Sequence, residues 1–95
     1  LGRDGFVLII VPLDKKTLKM VGEPEIMSRG FIYVSTSEEM LAQSRSIVVN
    51  QVESWETEKR KDYGMLKKKV RNSLRKYYKG ETAREPMILT LVVEI

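Results

Sequence analysis

The sequence has no cysteine and no histidine, and its 95 residues include a single tryptophan. Without cysteine there are no disulfides and no thiolate ligands, a composition that fits a reducing compartment. Without histidine there is no Ser–His or Cys–His nucleophile pair and no His-ligated zinc. Hydrolytic metal chemistry would fall to carboxylates alone. Glu23 with Glu25, and Glu38 with Glu39, are close in sequence, but each pair has a local explanation and no matching electrophile or metal. Catalysis by this chain alone is not expected. Long apolar runs are also missing. FVLIIVPL is eight residues, against roughly 20 for a membrane helix. It lacks a signal peptide's basic lead and small-residue cleavage site. The chain reads as soluble and intracellular, with no membrane partner.

What is present is one domain's worth of chain with a thin core and an uneven charge. The formal net charge is +4. Residues 1–58 hold six basic and nine acidic side chains, whereas residues 59–84 hold eleven basic and two acidic. The positive field therefore belongs to one segment, and nucleic acid or an acidic partner is the first class of ligand to test.

FVLIIVPL is β-branched and continuously apolar, as in a strand covered on both faces or central in a sheet. Pro12 marks its end or an edge, because proline cannot donate to a ladder. Asp14-Lys-Lys-Thr is turn chemistry, after which Lys19-Met-Val can pair back as a hairpin. Gly22 and Pro24 interrupt that second strand. After Gly30 the β-formers Phe-Ile-Tyr-Val resume, which predicts a strand over 31–34 with Phe31 and Tyr33 on one face. A helix start follows, with Thr36 and Glu39 or Ser35 and Glu38 as a capping box. That helix runs to about Trp55. Met40, Leu41, Ile47, Val48, Val52 and Trp55 share one side, and Ser44 and Gln51 on that side mark close helix packing or a partly wet contact. Residues 56–62 read as a charged linker. A second helix starts near Asp62 or Tyr63 and ends by Gly80, a C′ glycine, with Leu66, Val70, Leu74 and Tyr77 as its apolar stripe. Residues 86–95 form a closing strand. The order β-β-α-α-β predicts an α+β fold: a small three- to four-stranded sheet with two helices packed on one face. The sheet face without helices is then the expected contact surface, because the first strand is too apolar to leave one face wet.

Two features carry possible chemistry. Seven Lys or Arg lie between Leu66 and Lys79 with no acid among them. Lys68, Arg71, Arg75 and Lys79 are placed to meet RNA phosphates, with Tyr78 at the stripe's edge to stack on a base. A solvated face, or docking on an acidic surface, explains the same residues. Ser28-Arg29-Gly30 reads either as a phosphate-binding turn or as a structural bend. In the second reading Gly30 takes positive φ, Arg29 pairs with Glu23 or Glu25, and Phe31 and Tyr33 enter a core or an interface. The residues favour the bend.

Three blocks, DGFVLIIVPLDKKTLKMV, GEPEIMSRGFIYV and REPMILTLVVEI, resemble in order and spacing the C-terminal domain of ribonuclease J, over residues 4–95. The family usually places glycine directly before the proline; here Glu23 precedes Pro24, and glycine sits one earlier. The resemblance implies a cytoplasmic bacterial parent that degrades RNA endonucleolytically and from the 5′ end. That parent would be a metallo-β-lactamase enzyme with an inserted β-CASP domain, its zinc held by His and Asp motifs in the upstream domains. No such motif occurs here, so the resemblance implies no catalytic residue, metal residue or cofactor in this chain. Residues 1–5 would end a linker, and 6–95 would form the domain. In the family this domain supports oligomerisation and full activity, which implies the same-chain catalytic domains and a second protomer or paralogous subunit as partners, in a dimer or tetramer. An RNA-binding module that guides substrate through the basic helix is the alternative.

Overall fold

Burial alternates residue by residue along β1 (Phe6–Leu13), and that alternation organises the molecule. The computed structural model describes residues 4–59 and 61–95, so residues 1–3 of the expected linker lie outside the described residues. β1 is the central strand of a three-stranded mixed sheet. It pairs antiparallel with β2 (Glu25–Arg29) from Phe6↔Arg29 to Ile10↔Glu25, and parallel with β3 (Met87–Glu94) along its whole length. Successive strand side chains point to opposite faces, so Val7, Ile9, Val11 and Leu13 all point inward and are fully buried. At about 1.5–3 kcal/mol for each fully buried side chain of this size, this one face is a major gross contribution to folding.

The turn after β1 is built by Asp14, whose Oδ1 accepts from the N–H groups of Lys16 (2.8 Å) and Thr17 (3.0 Å). Those two N–H groups hold the Asp14 carboxyl below the usual carboxylate range. The predicted hairpin return is reduced to one bridge, Leu13↔Met20. Pro12 lies inside β1 rather than at its end, but β2 stops pairing at Ile10, so β1 has a local edge there. On that side the Val21 N–H donates to the Pro12 carbonyl at 2.9 Å.

Residues 31–34 do not form the predicted strand. They enter a short helix, α1 (Ile32–Thr36). Phe31 and Val34 are the buried pair, and a spacing of three suits a helical face where a strand would bury alternate residues. Ser37 then caps α2 (Glu38–Glu56), its Oγ accepting from the Met40 N–H at 3.1 Å. The cap is therefore neither Ser35 nor Thr36: α1 occupies those positions, and the extended Ser37 separates the two helices. Glu38 and Glu39 sit in the first turn of α2, where the helix dipole favours negative charge.

α3 (Tyr63–Thr82) is capped by Asp62, which accepts from the Gly64 N–H at 2.9 Å. The helix passes through Gly80 and ends at Ala83, which takes the left-handed conformation (φ 58°) and donates to the Lys79 carbonyl. The buried stripe is Leu66, Val70, Leu74 and Tyr78, with Tyr77 only half-buried, one position away from the expected stripe. Both long helices cover the inward face of the sheet, and one continuous core runs between. Trp55 is buried there, donating from Nε1 to the Asp62 carbonyl at 3.0 Å. Ser44, the buried polar residue of α2, donates to the Met40 carbonyl and accepts from the Tyr78 hydroxyl, each at 2.8 Å. Its role is close helix packing.

Candidate interaction surfaces

Helices cover one face of the sheet and leave the other open. Along β1 that face presents Phe6, Leu8, Ile10 and Pro12, all half-buried. β3 adds Met87, Leu89, Leu91 and Val93, and β2 adds Met27, all exposed. The registers set these side by side, Met27–Leu8–Leu89 across the middle row and Pro12–Val93 at one end. Leu91 is 48% and Met27 55% exposed, and summed over nine residues the bare apolar area is on the order of 500 Å², near the top of what a monomer leaves uncovered. A strand whose outer face is left to water normally alternates apolar with polar. β3 breaks that rule at four successive outward positions.

The second surface is the outer side of α3. Lys67, Lys68, Arg71, Arg75, Lys76 and Lys79 are exposed there. Lys79 lies 3.8 Å from Glu85, and Lys69 is paired with Glu58 at 3.5 Å. Among the described residues Lys67, Lys68, Arg71, Arg75 and Lys76 have no carboxylate partner. At 1.5 Å rise per residue, Lys68 to Lys79 spans about 16 Å, enough to meet several phosphates of an extended strand.

The bend at residues 28–30 is built by two glycines back to back. Gly30 has φ 75° and Gly5 φ 82°. A Cβ on Gly5 would run into the Arg29 carbonyl oxygen and the backbone of Gly30, and a Cβ on Gly30 would come within 3.1 Å of the Gly5 Cα. The start of β1 thus touches the end of β2 backbone to backbone. Arg29 is exposed and makes no ion pair among the described residues, with Glu23 and Glu25 included.

An open cleft of about 640 Å³ is lined by Leu18, Lys61, Asp62, Tyr63 and Glu94. Its acids already have roles: Asp62 caps α3, and Glu94 accepts from the Tyr63 hydroxyl at 3.0 Å. Burial first, then this bond and the Glu94 charge, raise the Tyr63 hydroxyl above its ordinary range. A base or nucleophile would need the opposite perturbation.

Comparison with known proteins matches all of residues 1–95 to the family model described as the ribonuclease J C-terminal domain. The chain belongs to that family. It is 38% identical over 95 residues to ribonuclease J 2 of Staphylococcus epidermidis and 37% identical over 95 residues to ribonuclease J 2 of Staphylococcus aureus. It is 34% identical over 99 residues to ribonuclease J2 of Bacillus subtilis. Each match takes in 100% of this chain but 17% of the relative, so the chain spans about a sixth of the length of the curated relatives.

In this ribonuclease J C-terminal domain the expected RNA-contact residues Lys68, Arg71, Arg75 and Lys79 lie together on one exposed helix side. Tyr78 does not join them. It is fully buried, packed edge-on against Phe31 with ring centroids 5.0 Å apart, and so has no ring face for a base. Burial pushes its hydroxyl up to about 12. Phe31 and Tyr33 keep their ring centroids 5.3 Å apart but differ in burial: Phe31 enters the core, while Tyr33 stays 37% exposed on α1. The β3 half of the open face was not singled out by sequence, although its signal was there: apolar residues at 87, 89, 91 and 93, an outward period of two with no polar member. The donor set does not fit the zinc that the family resemblance implies for the parent. There is no His or Cys, and no group of three or more potential metal ligands occurs among the described residues.

Proposed function

We propose that this chain is the non-catalytic C-terminal domain of a ribonuclease J-type RNA-degrading enzyme, and that it supports activity by holding protomers together through its open sheet face. Upstream domains would carry the zinc and the phosphodiester chemistry. This domain would fix the spacing and orientation of catalytic domains, an effect that changes rate without touching the reacting phosphate. The observation that carries the reading is the apolar row Met27–Leu8–Leu89 with its neighbours, left open on a domain whose other sheet face is fully used. Sedimentation velocity on the chain tests it. Self-association is expected, and Leu89→Arg is expected to shift it to monomer. A wild-type chain that stays monomeric at millimolar concentration, with the full-length enzyme's assembly unchanged when the domain is deleted, would remove the reading.

The five cations of α3 that have no carboxylate partner among the described residues favour a second reading, in which the same domain guides single-stranded RNA. Each phosphate contact contributes about 0.7 to the logarithmic salt slope on a single strand. Changing Lys68, Arg71 and Arg75 together to Glu is expected to lower that slope by about 2 and to weaken binding. Unchanged affinity and slope in the full-length enzyme would exclude RNA contact through this helix.

A further inference from the structure

The open face carries two charged residues at its strand positions, Glu25 and Arg29, and they flank Met27 on β2. By register, Glu25 lies in a row with Ile10 and Leu91, Met27 with Leu8 and Leu89, and Arg29 with Phe6 and Met87. The charges are therefore opposite in sign and equidistant from the middle row.

Two copies that stack this face symmetrically are related by a two-fold axis lying between the sheets. An axis along the strands sets β2 of one copy over β3 of the other, and then Glu25 and Arg29 each face apolar residues and lose any opposite-sign match that would fix the orientation. An axis across the strands sets β2 over β2 in the reverse direction. We infer that the face pairs with a second copy of this chain about a two-fold axis along the Met27–Leu8–Leu89 row, so that Glu25 of each protomer meets the partner's Arg29. The inference rests on the assembly reading above and adds its partner and its geometry.

Sheets stack about 10 Å apart with strands rotated by about 30°. Each charge stands about 7 Å along its strand from the axis row. The rotation moves it by about 4 Å, within reach of an arginine side chain. Two faces together bury on the order of 1,000 Å² of apolar surface, the lower bound for a specific interface. β2 is an edge strand, so the charge pairs sit at the rim, where they add little affinity and chiefly set orientation.

The test is charge reversal followed by mixing. Glu25→Arg alone sets like charges against each other at both symmetric positions, and so does Arg29→Glu alone. Each is expected to weaken self-association roughly tenfold to thirtyfold. An equimolar mixture of the two variants restores wild-type affinity as a 1:1 heterodimer, because every contact is again between opposite signs. The chain with both changes also recovers. Circular dichroism and the Trp55 emission confirm that these surface variants fold. Variants that each dimerise as wild type, while Leu89→Arg dissociates, would overturn the two-fold geometry and leave the sheet-face reading standing. Association of Leu89→Arg as tight as wild type would overturn both.

Discussion

The contact between Gly5 and Gly30 lends itself to a graded test, because the molecule supplies its own control. Gly5, Gly22 and Gly30 have nearly equal positive φ of 82°, 76° and 75°, but a Cβ on Gly22 would meet nothing among the described residues within 4 Å. Alanine at any of the three meets the left-handed penalty of about 1–2 kcal/mol, partly offset by about 0.4–1 kcal/mol from the unfolded chain. Gly22→Ala should therefore destabilise by about 1 kcal/mol. Gly30→Ala also needs the Gly5 backbone to give by a few tenths of an ångström, and about 2–3 kcal/mol is expected. At Gly5 the new methyl group would overlap backbone on the opposite strand, which has no rotamer to change. Relief requires opening the β1–β2 ladder near Phe6↔Arg29 and Val7↔Ser28, at about 1 kcal/mol per hydrogen bond on top of the steric and backbone costs. About 4 kcal/mol or more follows for Gly5→Ala, a large share of the roughly 5–14 kcal/mol expected for a domain of this size. Urea unfolding followed by the emission of Trp55, the single tryptophan and a fully buried one, measures all three. A Gly5→Ala loss within about 1 kcal/mol of that for Gly22→Ala would refute the close approach.

Three further outcomes follow from buried polar groups and a cap. The Tyr78 hydroxyl is raised to about 12 by burial, whereas an unfolded tyrosine ionises near 10. The folded form thus keeps its proton longer, and the stability this supplies is complete below about pH 10 and lost as pH rises toward 12. It is worth on the order of 3 kcal/mol. Tyr78→Phe should remove that part of the alkaline loss in pH-dependent denaturation, at about 1 kcal/mol of neutral-pH stability for the bond to Ser44. Thr90 Oγ1 is buried without a hydrogen-bond partner among the described residues, so Thr90→Val should raise the urea midpoint by the equivalent of about 1 kcal/mol. Asp62→Ala removes the side chain that caps α3 at Gly64 and should cost about 1 kcal/mol in the same assay.

The strand-forming runs at either end of the chain, the Asp14 turn and the two long helices were all legible, because each rests on local chemistry: β-branched alternation, an Asx turn, or an apolar stripe. The positive φ of Gly30 was legible too, as one of two alternatives. The fate of residues 31–34 was not, because Phe-Ile-Tyr-Val suits either period. What decides it is the Gly5–Gly30 contact, which closes the end of the β1–β2 ladder and turns the chain into α1. The choice between Tyr77 and Tyr78 was likewise a matter of one position on a helix, resolved by Ser44 reaching across from α2 to accept from Tyr78.

Composition alone removed cysteine and histidine chemistry from this chain and concentrated its positive charge in one segment, since those facts need no geometry. The motif blocks were enough to place it in its family. Surfaces are another matter. Whether an apolar side chain is core or contact depends on what lies above it, and that depends on non-local pairing. β1 and β3 are far apart in sequence yet share a parallel register over eight pairs, and both helices pack against the same side of it. Only that arrangement leaves Leu8, Leu89 and Leu91 together on an uncovered face, with Glu25 and Arg29 at its rim.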